Sequence, residues 1–115
     1  MTKYIHFSRE DFIKQAAGSE DIAKQVVQLY HRDLAKDLQE IEAAFEAKNL
    51  EAVRRLAHKS KSGFIIMGAT PLHKLAFHIE TKAKNGDSDL KEDLAHFRTQ
   101  CEGLEKELCK EFDVS

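Results

Sequence analysis

His58 is followed three positions on by Lys61 and preceded four positions earlier by Arg54. On a helix, residues three or four apart are neighbours. This spacing therefore puts a cation one turn to either side of an imidazole. Those residue types suit phosphoryl chemistry on nitrogen. Imidazole titrates near 6.5, so much of it is the neutral nucleophile around neutral pH. A lysine ammonium within reach offsets the charge a phosphoryl group would bring and favours the uncharged ring.

The other chemistry-bearing residues form no comparable set. His73 and His78 lie at i, i+5, which is not one helical face, whereas a zinc site wants i, i+3 or i+4 and further ligands. His31 and His96 have no visible partner in the sequence. The acidic pairs Glu10-Asp11 and Glu20-Asp21 sit at helix starts, where the dipole accounts for them better than acid–base work does. No GxGxxG and no P-loop is present, so kinase-like ATP binding is not expected. Cys101 reads as a small buried hydrophobe and Cys109 as peripheral.

The elements that must hold His58 are helices. One proline and five glycines in 115 residues leave few breaks, and no useful length of alternating apolar and polar residues marks a strand. Ser8 caps a short first helix bearing Phe12, Ile13 and Ala16, and Gly18 ends it. Ser19 caps a second, with Ile22, Val26 and Leu29 as one apolar stripe and Val27, Leu34, Ile41 and Phe45 as its neighbour. So wide an apolar arc predicts a helix in the middle of a bundle. Asn49 caps a third over Leu50–Met67, and Gly68 is its stop. Thr70 caps a fourth with Pro71 in its first turn and a core stripe of Leu72, Leu75, Ala76, Ile79 and Ala83. After the Asn85-Gly86 turn a fifth starts at Asp87 or Ser88. It carries Leu90, Leu94, Phe97, Cys101, Leu104, Leu108 and Phe112 on one side, with Gly103 as an irregularity. Short connections make neighbours antiparallel. The expectation is all-α: an up-down antiparallel four-helix bundle with a short additional N-terminal helix, one domain over 1–115 with its core at about 7–112.

On a wheel of the third helix, Val53, Leu56, Ala57, Ser60, Phe64 and Met67 share the core side. His58 falls nearly opposite, among Arg54, Lys61, Ser62 and Ile65. Ile65 and Ile66 lie off the core stripe beside the charged site, which suggests a docking patch; burial under the first helix is the competing explanation, stronger for Ile66.

Composition excludes several classes. Apolar residues make up 42% and interspersed charged residues 33%, enough for one core and a solvated face. A net charge of −2 gives no basic excess for nucleic acid. Eight residues along one helix separate Cys101 and Cys109 by about 12 Å, too far for a disulfide, so a reducing, cytoplasmic setting is expected. Met1-Thr2-Lys3-Tyr4-Ile5-His6 has no apolar run of the secretory kind, and no membrane span is expected.

The stretch Leu56-Ala57-His58-Lys59-Ser60-Lys61-Ser62-Gly63, then Met67-Gly68-Ala69, then Leu72, Leu75 and Glu80, resembles the signature of histidine-containing phosphotransfer domains. The likeness runs from about Phe7 to Phe112 in helix order and loop positions. It implies that His58 takes a phosphoryl group from a receiver-domain aspartate and passes it to another receiver, and that Lys61 stabilises the phosphate. It further implies that Gly68 turns the chain into the fourth helix. Partners would be response-regulator receiver domains and a hybrid sensor kinase, met by Arg54, Arg55, Ile65 and Ile66, with no nucleic acid, membrane or small-molecule substrate. No cofactor of its own is implied; Mg²⁺ would belong to the receiver.

Two positions depart from the family pattern. The family has glycine directly after the lysine, where this chain has Ser62; Gly63 points about 140° away from His58 and cannot supply the same space. The Ser62 hydroxyl could instead hydrogen-bond the phosphoryl group. Ser60 stands where the family prefers an apolar residue, and its hydroxyl is expected to bond back to the carbonyl one turn earlier. Two other readings stay open: a module that docks a receiver without carrying phosphate, supported by Ser62, and a bundle binding metal or haem through histidines.

Overall fold

The computed structural model describes residues 4–115. Met1, Thr2 and Lys3, part of the segment read above as lacking a secretory run, lie outside the described residues. Five helices follow in order: α1 (Arg9–Gln15), α2 (Glu20–Glu46), α3 (Leu50–Ile66), α4 (Thr70–Lys84) and α5 (Lys91–Phe112). No strand occurs among the described residues. The body measures 40 × 22 × 22 Å, the long dimension being that of α2.

Local sequence explains most helix starts. The Ser8 and Ser19 hydroxyls accept from the backbone N–H groups of Asp11 and Ile22, and Asn49 Oδ1 accepts from Ala52 at 3.1 Å. Each satisfies a donor that the helix itself leaves open. Two starts differ from expectation. Ala69 occupies the cap position of α4 without a side-chain bond, and Thr70 is already helical. Nor does α5 begin at Asp87 or Ser88. There Asp87 Oδ1 accepts from the Asp89 N–H at 2.9 Å, closing a turn of its own. The cap passes to Leu90, which is fully buried and anchors the helix by packing.

α2, α3, α4 and α5 surround one apolar core, with α3 packed most extensively on α4 and α2 against both α3 and α5. All seven residues of the α5 stripe are buried. Phe64 meets Phe97 edge-on at 6.0 Å across the core. The short α1 closes one end, where Phe12 meets Phe112 at 5.3 Å. The α2 expectation needs correction: Val27, Leu34 and Ile41 are buried, but Ile22 and Leu29 are 47% and 51% exposed. That helix buries a narrower arc than its apolar residues span.

Two glycines are required by close approach. Gly68, at φ +69°, lies against α1. A Cβ there would come within 2.6 Å of the Ser8 carbonyl oxygen, and the Ser8 N–H donates to the Gly68 carbonyl at 2.9 Å. Gly103 interrupts nothing. It leaves room for the His6 ring, which a Cβ would meet at 2.5 Å. His6 Nδ1 lies 2.8 Å from Glu107, whose carboxylate also accepts from the backbone N–H groups of Ile5 and His6. The chain before α1 is thus strapped along α5.

Candidate functional site

His58 sits in the middle of α3, where Ala57 and Phe64 face the core and leave its own side outward. Its side chain is 64% exposed. The ring borders neither the cavity between α2, α3 and α5 nor the cleft beside Tyr4 and Pro71; it stands on open surface.

Its closest partner comes from α4. Glu80 is 13% exposed and lies next to the buried Ile79, which fixes its place on the helix. Its Oε2 is 2.6 Å from His58 Nδ1, and its Oε1 is 2.6 Å from Lys61 Nζ. The second contact is an ion pair rather than a well-angled hydrogen bond. Burial pushes the Glu80 carboxyl up, but the Lys61 and His58 contacts outweigh it and hold the group below its ordinary value. The carboxylate is therefore ionised at neutral pH and can only accept. The proton between it and His58 must sit on Nδ1, which leaves the Nε2 lone pair pointing away from the dyad.

Lys61 is less free than its position in sequence suggests. Its side chain is 19% exposed, tied to Glu80 and placed 5.0 Å over the Phe77 ring. It reaches the histidine through a shared carboxylate. Phe77 is itself 56% exposed, and neither periodicity nor motif singled it out. Its only sequence signal is an apolar residue off the α4 stripe. Glu80 appeared in the motif but not as a partner of His58. That pairing spans 22 residues and depends on how α3 and α4 pack.

The remaining candidates divide. Arg54 is paired with Glu51 through two bonds of 2.9 and 2.6 Å, and Arg55 is exposed on the next position. Ile65 is 45% exposed, as the wheel predicted. Ile66 is 40% exposed, so it is not buried under α1. The Ser62 hydroxyl donates to the Lys59 carbonyl at 3.3 Å and that of Ser60 to the Leu56 carbonyl at 2.9 Å. Both are turned back onto the helix.

His31, expected to have no partner, has one: its Nδ1 lies 2.9 Å from Glu105 on α5. This pair resembles the His58 dyad, but among the described residues no cation is paired with Glu105. His78 faces Asp93 through Nε2 at 3.4 Å, and Asp93 also holds Lys82. A carboxylate on that nitrogen blocks the one His58 leaves open. Among the described residues, no three His, Cys, Asp or Glu side chains are grouped as a metal ion would need, and no helix is long and apolar enough to cross a membrane.

Comparison with known proteins gives one family and a consistent fold. The model of the Hpt domain matches residues 25–110. A crystal structure of histidine-containing phosphotransfer protein B from Pseudomonas aeruginosa PAO1 superposes with a TM-score of 0.86 at 20% identity, covering 96% of both chains. The HPT domain of an Hpt sensor hybrid histidine kinase from Shewanella superposes with a TM-score of 0.83 at 14% identity, covering 94% of both. A search of curated proteins gave no match.

Proposed function

The chain belongs to the Hpt domain family, and on that premise we propose that His58 is its phosphoryl acceptor, taking the group from a receiver-domain aspartate and handing it to another receiver. The observation that carries this reading is the His58–Glu80 contact at 2.6 Å on an imidazole otherwise open to solvent.

The chemistry follows from that contact. The Nε2 lone pair attacks phosphorus as the bond to the aspartyl oxygen breaks, and the aspartate leaves as a free carboxylate. The ring keeps its Nδ1 proton and becomes cationic as the N–P bond forms. Glu80, already ionised, stabilises that charge without moving. Lys61, one turn from His58 and on the same carboxylate, is the cation that offsets the phosphoryl oxygens once the group is on the ring. Return transfer reverses the electron flow: the next aspartate attacks phosphorus and the N–P electrons go back to Nε2. Mg²⁺ for this chemistry is supplied by the receiver. Ile65, Ile66 and Phe77 form the apolar surround on which a receiver docks, and Arg54 and Arg55 lie at its edge.

A second reading, a module that binds a receiver without carrying phosphate, is favoured by Ser62, which adds bulk beside His58, and by the engagement of Lys61 with Glu80. Incubation with a phosphorylated receiver separates the two. Acid-labile phosphate appearing on this chain, with a phosphorus resonance typical of Nε2-phosphohistidine, supports the carrier. Tight receiver binding with no transfer of label supports the module.

A further inference from the structure

A cavity of about 190 Å³ opens between α2, α3 and α5, away from His58. Its apolar walls include Leu34, Leu38, Phe64, Met67, Phe97 and Cys101. Its cause is legible in α3. Ser60 and Gly63 are the two small residues that this helix turns toward α2 there, and a Cβ added at Gly63 would meet nothing within 4 Å. Large side chains at those positions would fill the space; a hydroxymethyl and a hydrogen leave it open.

The two hydroxyls on the wall are already engaged. The Ser60 hydroxyl is spent on the Leu56 carbonyl and the Tyr30 hydroxyl on the Cys101 carbonyl at 2.9 Å. Cys101 is a buried thiol that desolvation pushes up to about 12, so it stays neutral. A largely apolar cavity of this order is large enough to accept a small hydrocarbon ring. Charged side chains, Asp37 and Lys59, also line the cavity. The aromatic rings of Tyr30, Phe64 and Phe97, with the sulfurs of Met67 and Cys101, favour an aromatic occupant over an aliphatic one.

We propose that this cavity is a binding site for a small uncharged aromatic molecule of one or two rings. It is independent of the phosphoryl chemistry and shares with it only α3. The ligand enters between α2 and α3, past Asp37 and Lys59, and stacks among the aromatic residues where Ser60 and Gly63 leave room.

Titration of the full chain with indole, followed by amide ¹H–¹⁵N spectra, tests this. The expected result is a saturable set of shifts centred on Leu34, Leu38, Ser60, Gly63 and Phe97, sparing Ile65 and Phe77. Gly63→Leu fills the space and should weaken indole binding by about tenfold or more; should that variant fail to fold, Ser60→Val is the second test and should act the same way. Non-saturating shifts, or shifts centred on the exposed Phe77 and Ile65, overturn the proposal. It also falls if the cavity residues respond to an added receiver domain but not to indole, since the occupant is then a partner side chain.

Discussion

His58 and Glu80 meet across two helices, Nδ1 to Oε2 at 2.6 Å, with the second oxygen of the same carboxylate 2.6 Å from Lys61. One partly buried acid thus orients the ring and places the cation. Most of what can be tested about the site follows from this arrangement.

Replacing His58 with glutamine should abolish phosphorylation from a phosphorylated receiver. The side chain is mostly exposed, so stability should change by about 1 kcal/mol or less. Denaturant unfolding and phosphate analysis check both parts. His31 serves as an internal comparison: it has a carboxylate on Nδ1 but, among the described residues, no cation paired with that carboxylate, and His31→Gln should leave transfer intact. Acid-labile phosphate persisting on the His58 variant would move the site elsewhere.

Glu80→Gln keeps an acceptor for the Nδ1 proton but removes the charge that steadies the ring during attack. Transfer should slow by roughly tenfold or more, and Glu80→Ala should be worse. The pH dependence has a definite sign. Because the Glu80 carboxyl is held below its ordinary value in the folded protein, its contribution to stability is full above that ordinary value. It is lost as pH falls through the depressed one. The stability gap between wild type and Glu80→Gln should therefore close in acid. A gap that widens on acidification would contradict the ion-paired assignment.

Lys61→Ala should slow transfer and also cost stability, about 1–2 kcal/mol, because it leaves a buried Glu80 oxygen without its cation. Lys61→Met keeps the aliphatic stem over Phe77 and separates packing from charge. Equal transfer rates in wild type and Lys61→Met would remove Lys61 from the chemistry.

Ile65→Asp and Phe77→Ser each place a polar group on the apolar surround of His58. Each should weaken receiver binding by about tenfold or more while leaving the helical circular dichroism unchanged. Calorimetric titration with a receiver reads the first, and thermal unfolding guards against a trivial loss of fold.

Gly68→Ala combines a left-handed backbone with a Cβ driven against the Ser8 carbonyl. The penalty should be about 2 kcal/mol or more. Gly63→Ala, at a helical glycine with open space, should be neutral or mildly stabilising. The contrast between the two is the measurement.

The α5 stripe, the caps at Ser8, Ser19 and Asn49, and the outward position of His58 were legible because each depends on neighbours within a turn or two. Ile22, Leu29 and Phe77 were not: an apolar side chain reads the same in sequence whether or not another helix covers it. The late start of α5 was hidden because Asp87 and Ser88 have the chemistry of a cap and use it to close a turn before the helix. His31–Glu105 and His58–Glu80 were hidden for a common reason. Both join residues that only interhelical packing brings together, 74 and 22 positions apart.

His58, Lys61 and Glu80 all belong to the α3–α4 hairpin, closed by only Met67, Gly68 and Ala69. The entropy of closing so short a loop is small, and local contacts form early in folding. The residues of the N-terminal strap, by contrast, attach through pairings more than a hundred positions apart, such as Ile5 and His6 with Glu107. Hydrogen exchange should therefore find them opening in a separate, less protected unit. A molecule whose N-terminal strap has come away from α5 can still present its histidine, lysine and glutamate in register.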